Sequence, residues 1–142
     1  MPSDDVRARY LSDRVLTASP AQRVVMLYDR LGLDIARAQD AHARNDLAAA
    51  GGHLHHAVQI VAELRSALDI TVWAGGPDLA ALYGYLLNRL MSAARPDGAG
   101  QLPHLGAIVT DLRAAWHQAA EELNEPAGAG AGAAVRVPTR VA

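Results

Sequence analysis

Apolar residues recur at intervals of three and four along most of this chain, and no segment shows the sustained alternation of a half-buried strand. The first run places Val24, Leu27/Tyr28, Leu31, Ile35 and Ala38 on one face and predicts a helix reaching about Arg44. Its start is sharply marked. Ser19 can accept from the third helical amide as an N-cap, Pro20 fits the first helical position, and Gln22 completes a capping box. Gly32 is an internal flaw worth about 1 kcal/mol against Ala. Asn45-Asp46 ends this helix and caps a second, which carries Leu47, Ala50, Leu54, Val58, Val61, Leu64 and Leu68. Gly51-Gly52 weakens its first two turns.

The pattern breaks from Asp69 to Gly76, and Pro77 suits the start of a third helix with Leu79, Leu82/Tyr83, Leu86, Leu90 and Ala93. Pro96-Asp97-Gly98 is a strong turn signal. Pro103 opens a fourth helix, with Leu105, Ile108/Val109, Leu112, Trp116, Ala119 and Leu123. Four amphipathic segments joined mostly by short connections predict an all-α fold, an antiparallel up-down four-helix bundle. Residues 1–18 form an N-terminal arm, 19–125 the bundle, and 126–142 an Ala/Gly-rich tail. That tail cannot bury enough surface to offset its ordering entropy and reads as disordered.

Composition narrows the chemistry. With 142 residues, one domain is expected. The absence of Cys excludes a disulfide scaffold, thiolate-bound zinc and a thiol nucleophile. All 13 basic residues are Arg, which removes Lys Schiff-base chemistry and the P-loop lysine. A net charge of −2 gives no footprint for a nucleic-acid binder. The N-terminus starts acidic with no apolar segment behind it, and no apolar run approaches the roughly 20 residues needed to span a bilayer. We expect a cytoplasmic protein without membrane insertion.

The histidines invite a closer look. His53 and His56 share a helical face and could supply half a metal site, but no Glu-x-x-His motif on another helix completes it. A polar-face role is the simpler reading, and neither metal nor cofactor is expected. A histidine phosphotransfer bundle is a rival, although such domains carry a Lys after the reactive His and here His56-Ala57-Val58 follows. A structural bundle with some other helical client is the second rival. Adjacent carboxylates such as Glu121-Glu122 point apart on a helix, and no hydrolase, metalloprotease or dinucleotide motif is present. No enzymatic activity is expected.

Five strings, in order, resemble the FliS family of flagellar export chaperones. Tyr10 stands nine residues before Ser19, and Val15-Leu16-Thr17-Ala18-Ser19-Pro20 matches the family's helix start. Met26-Leu27-Tyr28-Asp29 follows, then Ile60 to Asp69, similar to Ile-Ile-x-Glu-Leu-x-x-x-Leu-Asp. Leu82-Tyr83-Gly84-Tyr85 with Arg89-Leu90 resembles the third motif, and Leu112 to Trp116 the closing one. Arg30, Gly84 and Ala94 depart from the family's usual small residue, Asp and Asn.

The resemblance implies a chaperone that binds the disordered C-terminal segment of flagellin, prevents its premature polymerisation and supports export. The export apparatus or a co-chaperone are further partners it implies. The client would lie as amphipathic helices in surface grooves. Partner contacts are expected from Tyr10, Val15, Ile60, Leu64, Leu68, Tyr83, Leu86 and Leu87, with Tyr10 covering the empty groove. Ile60 and Leu87 sit beside the apolar seams and are expected to be partly exposed. Asp29, Glu63 and Arg89 are candidates for bundle ion pairs or polar contacts.

Overall fold

The computed structural model describes residues 20–68 and 75–123. Four helices account for most of them: α1 (Pro20–Ala43), α2 (Leu47–Ala67), α3 (Gly76–Ala93) and α4 (Leu102–Leu123), with a 3-10 turn at Ala99–Gln101 before the last. No strand occurs among the described residues. The boundaries follow the punctuation read from the sequence. Ser19 lies outside the described residues.

Local chemistry explains each junction. Asn45 takes a left-handed conformation at φ 57°, and the Asn45 and Asp46 amides donate to the His42 and Ala41 carbonyls. This closes α1 with a Schellman motif. Asp46 then turns donor-satisfier for the next helix, its carboxylate accepting from the Ala49 amide at 3.0 Å. Gly51 and Gly52 both lie within α2 behind this cap. At the third junction a Cβ on Gly98 would come within 2.6 Å of the Ser92 carbonyl oxygen, so only glycine fits.

Cross-helix contacts define the topology. Gly32 faces Val109 and Gly106 faces Ile35, while the Arg113 guanidinium meets Asp29 at 2.5 Å. As one number rises the other falls, so α1 and α4 are antiparallel. His56 pairs with Asp34 across the α1–α2 hairpin, and the short connection from Ala43 to Leu47 makes these two helices antiparallel. Tyr28 meets Tyr83, and His42 meets the Ala93 carbonyl, so α1 and α3 run parallel on a diagonal. The result is an antiparallel up-down bundle in which α1 packs broadly on α2 and α4, α2 on α3, and α3 and α4 touch only sparingly.

The core is aliphatic and small. Leu31, Ile35, Leu54, Val61, Leu86, Leu90, Leu102 and Leu105 are essentially inaccessible, and Ala38, Ala41, Ala50, Ala57 and Ala93 let the helices approach closely. Burying each Leu or Ile contributes roughly 1.5–3 kcal/mol. Gly32 sits at the α1–α4 contact, but a Cβ there would meet Val109 at 3.8 Å, ordinary packing distance. Gly32→Ala should therefore raise the stability by about 1 kcal/mol, read as a higher midpoint in urea unfolding.

Candidate functional site

Three features of the described residues go beyond simple packing. The first is a polar contact at the centre. Tyr28 and Tyr83 are almost completely buried, and their hydroxyls hydrogen-bond across the bundle diagonal. Burial pushes both phenols above the usual tyrosine range, with the neighbouring hydroxyl adding to the effect at Tyr28. The Trp116 indole N–H is buried beside them without a hydrogen bond of good geometry. Tyr28→Phe should cost about 1–3 kcal/mol because it strands the Tyr83 hydroxyl, whereas changing both to Phe should cost less than the sum. Raised folded-state values also mean that these phenols stabilise the fold fully below pH 10.0 and lose that contribution as pH rises beyond it. Alkaline unfolding followed by circular dichroism should be shallower in the double Phe variant.

The second feature is the Asp34 carboxylate, 1% exposed, which accepts from His56 and lies 3.6 Å from the Arg30 guanidinium. The polar-face reading of His56 is thus incomplete, since its ring pairs with a buried carboxyl group. Among the described residues no group of three His, Cys, Asp or Glu side chains converges as metal ligands would. Asp29 pairs with Arg113, as one of the two roles considered for it, and Arg89 lies 5.4 Å from the centre of the Tyr85 ring.

The third feature is the apolar surface left over. Leu68 and Leu87 are half-buried against the edge of the core. Ile60, Leu64, Tyr83 and Leu86 belong to its interior, between 0% and 4% exposed. This corrects the expectation that Ile60 flanks the seam with part of its side chain in water. The reason is that α2 is packed on both sides, by α1 and α3, so its buried arc is wide enough to take Ile60 and Val61 together. Tyr10 and Val15 lie outside the described residues.

The structure adds two residues that the sequence reading placed on the apolar seams, Leu82 and Ile108, and one it named only within a motif, Tyr85. Leu82 and Ile108 are half-buried, and Tyr85 is 38% exposed. Tyr85 meets His104 edge-on at 6.4 Å, which links α3 to α4. Leu82 is three residues before Tyr85 and Ile108 four after His104, so both continue the same sparsely closed edge one turn further along. Val58 flanks the core on α2. The signal was present in the doubled apolar positions. Where Leu27/Tyr28, Leu82/Tyr83, Leu86/Leu87 and Ile108/Val109 occur, one member is buried and the other half-buried.

The described residues form a four-helix bundle with a sparsely closed α3–α4 edge and two buried polar pairs, Tyr28–Tyr83 and Asp34–His56. The comparisons say which bundle family this is. A family model described as flagellar protein FliS matches residues 3–123. The chain is also 31% identical over 110 residues to the flagellar secretion chaperone FliS of Bacillus subtilis (strain 168), covering 78% of this chain and 82% of that protein. It is 30% identical over 108 residues to the flagellar secretion chaperone FliS of Salmonella typhimurium (strain LT2), covering 73% and 78%. The chain belongs to the FliS family of flagellar secretion chaperones.

Proposed function

We propose that this chain is a cytoplasmic chaperone for flagellin, which binds the client's disordered C-terminal segment and releases it to the export machinery. It works by binding alone, with no catalytic step. The observation that carries the reading is the apolar surface left partly uncovered on both flanks of α3 in a chain of this family: Leu82, Tyr85 and Ile108 along the α4 side, and Leu87 on the other. An amphipathic helix laid there would bury its apolar stripe and fold as it binds. No helix among the described residues is long and apolar enough to cross a membrane, which suits a client received from solution. The export apparatus or a co-chaperone would be a second partner.

Calorimetric titration tests this directly. Flagellin from the same organism should bind the full chain, and flagellin lacking its C-terminal segment should not. Equal binding by both forms would place recognition elsewhere on the client, and binding by neither would remove flagellin as the client.

A further inference from the structure

The outer face of α1 carries a second periodic pattern. Arg23, Arg30, Arg37 and Arg44 fall seven residues apart, and all are exposed. Met26, Leu33 and Asp40 fall between them, which makes the spacing three and four throughout, and these too are exposed. That is the spacing of a coiled-coil seam. It runs along the helix opposite the buried line of Tyr28, Leu31, Ile35 and Ala38, so α1 bears one seam inward and one outward. From Arg23 to Arg44 the outward seam is about 30 Å long at the rise of an α-helix.

An ordinary solvated helix face mixes its signs; this one has four Arg against one Asp. Met26 and Leu33 are each 41% exposed. No carboxylate lies within ion-pair distance of Arg37 or Arg44 among the described residues, and Arg44 donates instead to the Asp40 backbone carbonyl at 3.3 Å. The adjoining part of α2, residues 47–62, contains no Asp or Glu but has His53, His55 and His56. Where the helices adjoin, Arg37, Asp40, Ala43, Arg44 and His53 line an open basin of about 550 Å³.

We propose that this outer face of α1 is a docking seam for an acidic amphipathic helix of a second protein, with carboxylates at seven-residue spacing. Carboxylates set against Arg37 and Arg44 would each meet an Arg fork, Arg30 already lying 3.6 Å from Asp34, and apolar residues between them would cover Met26, Leu33 and the Arg stems. A second copy of this chain is a poor occupant, since it would set arginine against arginine. The chain's own ends are no better. Residues 1–19 balance Asp4, Asp5 and Asp13 with Arg7, Arg9 and Arg14, and residues 124–142 hold Glu125 against Arg136 and Arg140. The inference does not rest on flagellin being the client, because its residues are separate from the α3–α4 edge.

The probe is a labelled synthetic peptide of about 24 residues, long enough to match the seam, with Glu at every seventh position and Leu three residues after each. A scrambled peptide of identical composition is the comparator, and the full chain is titrated into each by fluorescence anisotropy. The spaced peptide should bind at least about tenfold more tightly than the scrambled one. Arg37→Glu with Arg44→Glu should weaken it at least about tenfold at an unchanged melting temperature, and a peptide with Arg in place of Glu should recover binding to that variant. If the reversed charges disturb folding, Arg37→Ala with Arg44→Ala gives the same reading with a smaller loss. Equal binding of spaced and scrambled peptides would overturn the proposal, as would a folded variant that binds like the parent. So would capture by phosphatidylglycerol vesicles when the spaced peptide fails to bind.

Discussion

Ile60→Glu should abolish cooperative folding near room temperature. Ile60 is 4% exposed and packs in the same cluster as Val61 and Leu64. The substitution forfeits about 1.5–3 kcal/mol of apolar burial. It also places a carboxyl group where no partner faces it, adding several kcal/mol whether the group stays charged or takes up a proton. A single domain of this size has only about 5–15 kcal/mol to lose. Far-UV circular dichroism during a thermal ramp measures the outcome. A sharp transition close to that of the parent would show that Ile60 reaches water after all and restore it as a surface contact.

Leu87→Glu should behave differently. Leu87 is half-buried at the core's edge, so its carboxylate can turn to solvent in the free protein. A loss of about 1–2 kcal/mol in folding stability is expected. If flagellin's C-terminal segment covers this edge, the same charge would be enclosed against an apolar helix, and affinity should fall at least about a hundredfold. Titration of the C-terminal peptide into the variant, with a melting curve alongside, separates the two effects. Normal affinity in a folded Leu87→Glu protein would exclude this edge, and Leu82→Glu and Ile108→Glu would then probe the neighbouring one.

The helices and their ends were legible because their signals are local. Asp46 as a cap, Pro77 at a start and the Pro96-Asp97-Gly98 turn act within one turn of helix. The antiparallel arrangement followed from the short connections. What could not be read was which member of a doubled apolar position faces the core, because that depends on how many neighbours flank the helix. Ile60 shows the difficulty: beside Val61 it looks like Leu87 beside Leu86, yet α2 is covered from two sides and encloses both residues. The pairing of Tyr28 with Tyr83 and of Asp34 with His56 joins residues 55 and 22 positions apart, and no local periodicity encodes such partners. The Arg23-to-Arg44 series is just as local, but it is a polar period, which apolar spacing does not reveal.

The sparse contact between α3 and α4 has a consequence for motion. Helices α1, α2 and α4 are joined through broad faces, whereas α3 leans on α2 and reaches α1 through the Tyr28–Tyr83 and His42–Ala93 hydrogen bonds. Its inner face, with Leu79, Leu86 and Leu90, is enclosed in the core, so the α4 side is where α3 is held least. Amide hydrogen exchange should register this as a separate opening unit, with α3 losing its protection at lower free energy than α1. Loss of protection in α3 and α1 at one common free energy would show instead that the four helices open only as a unit.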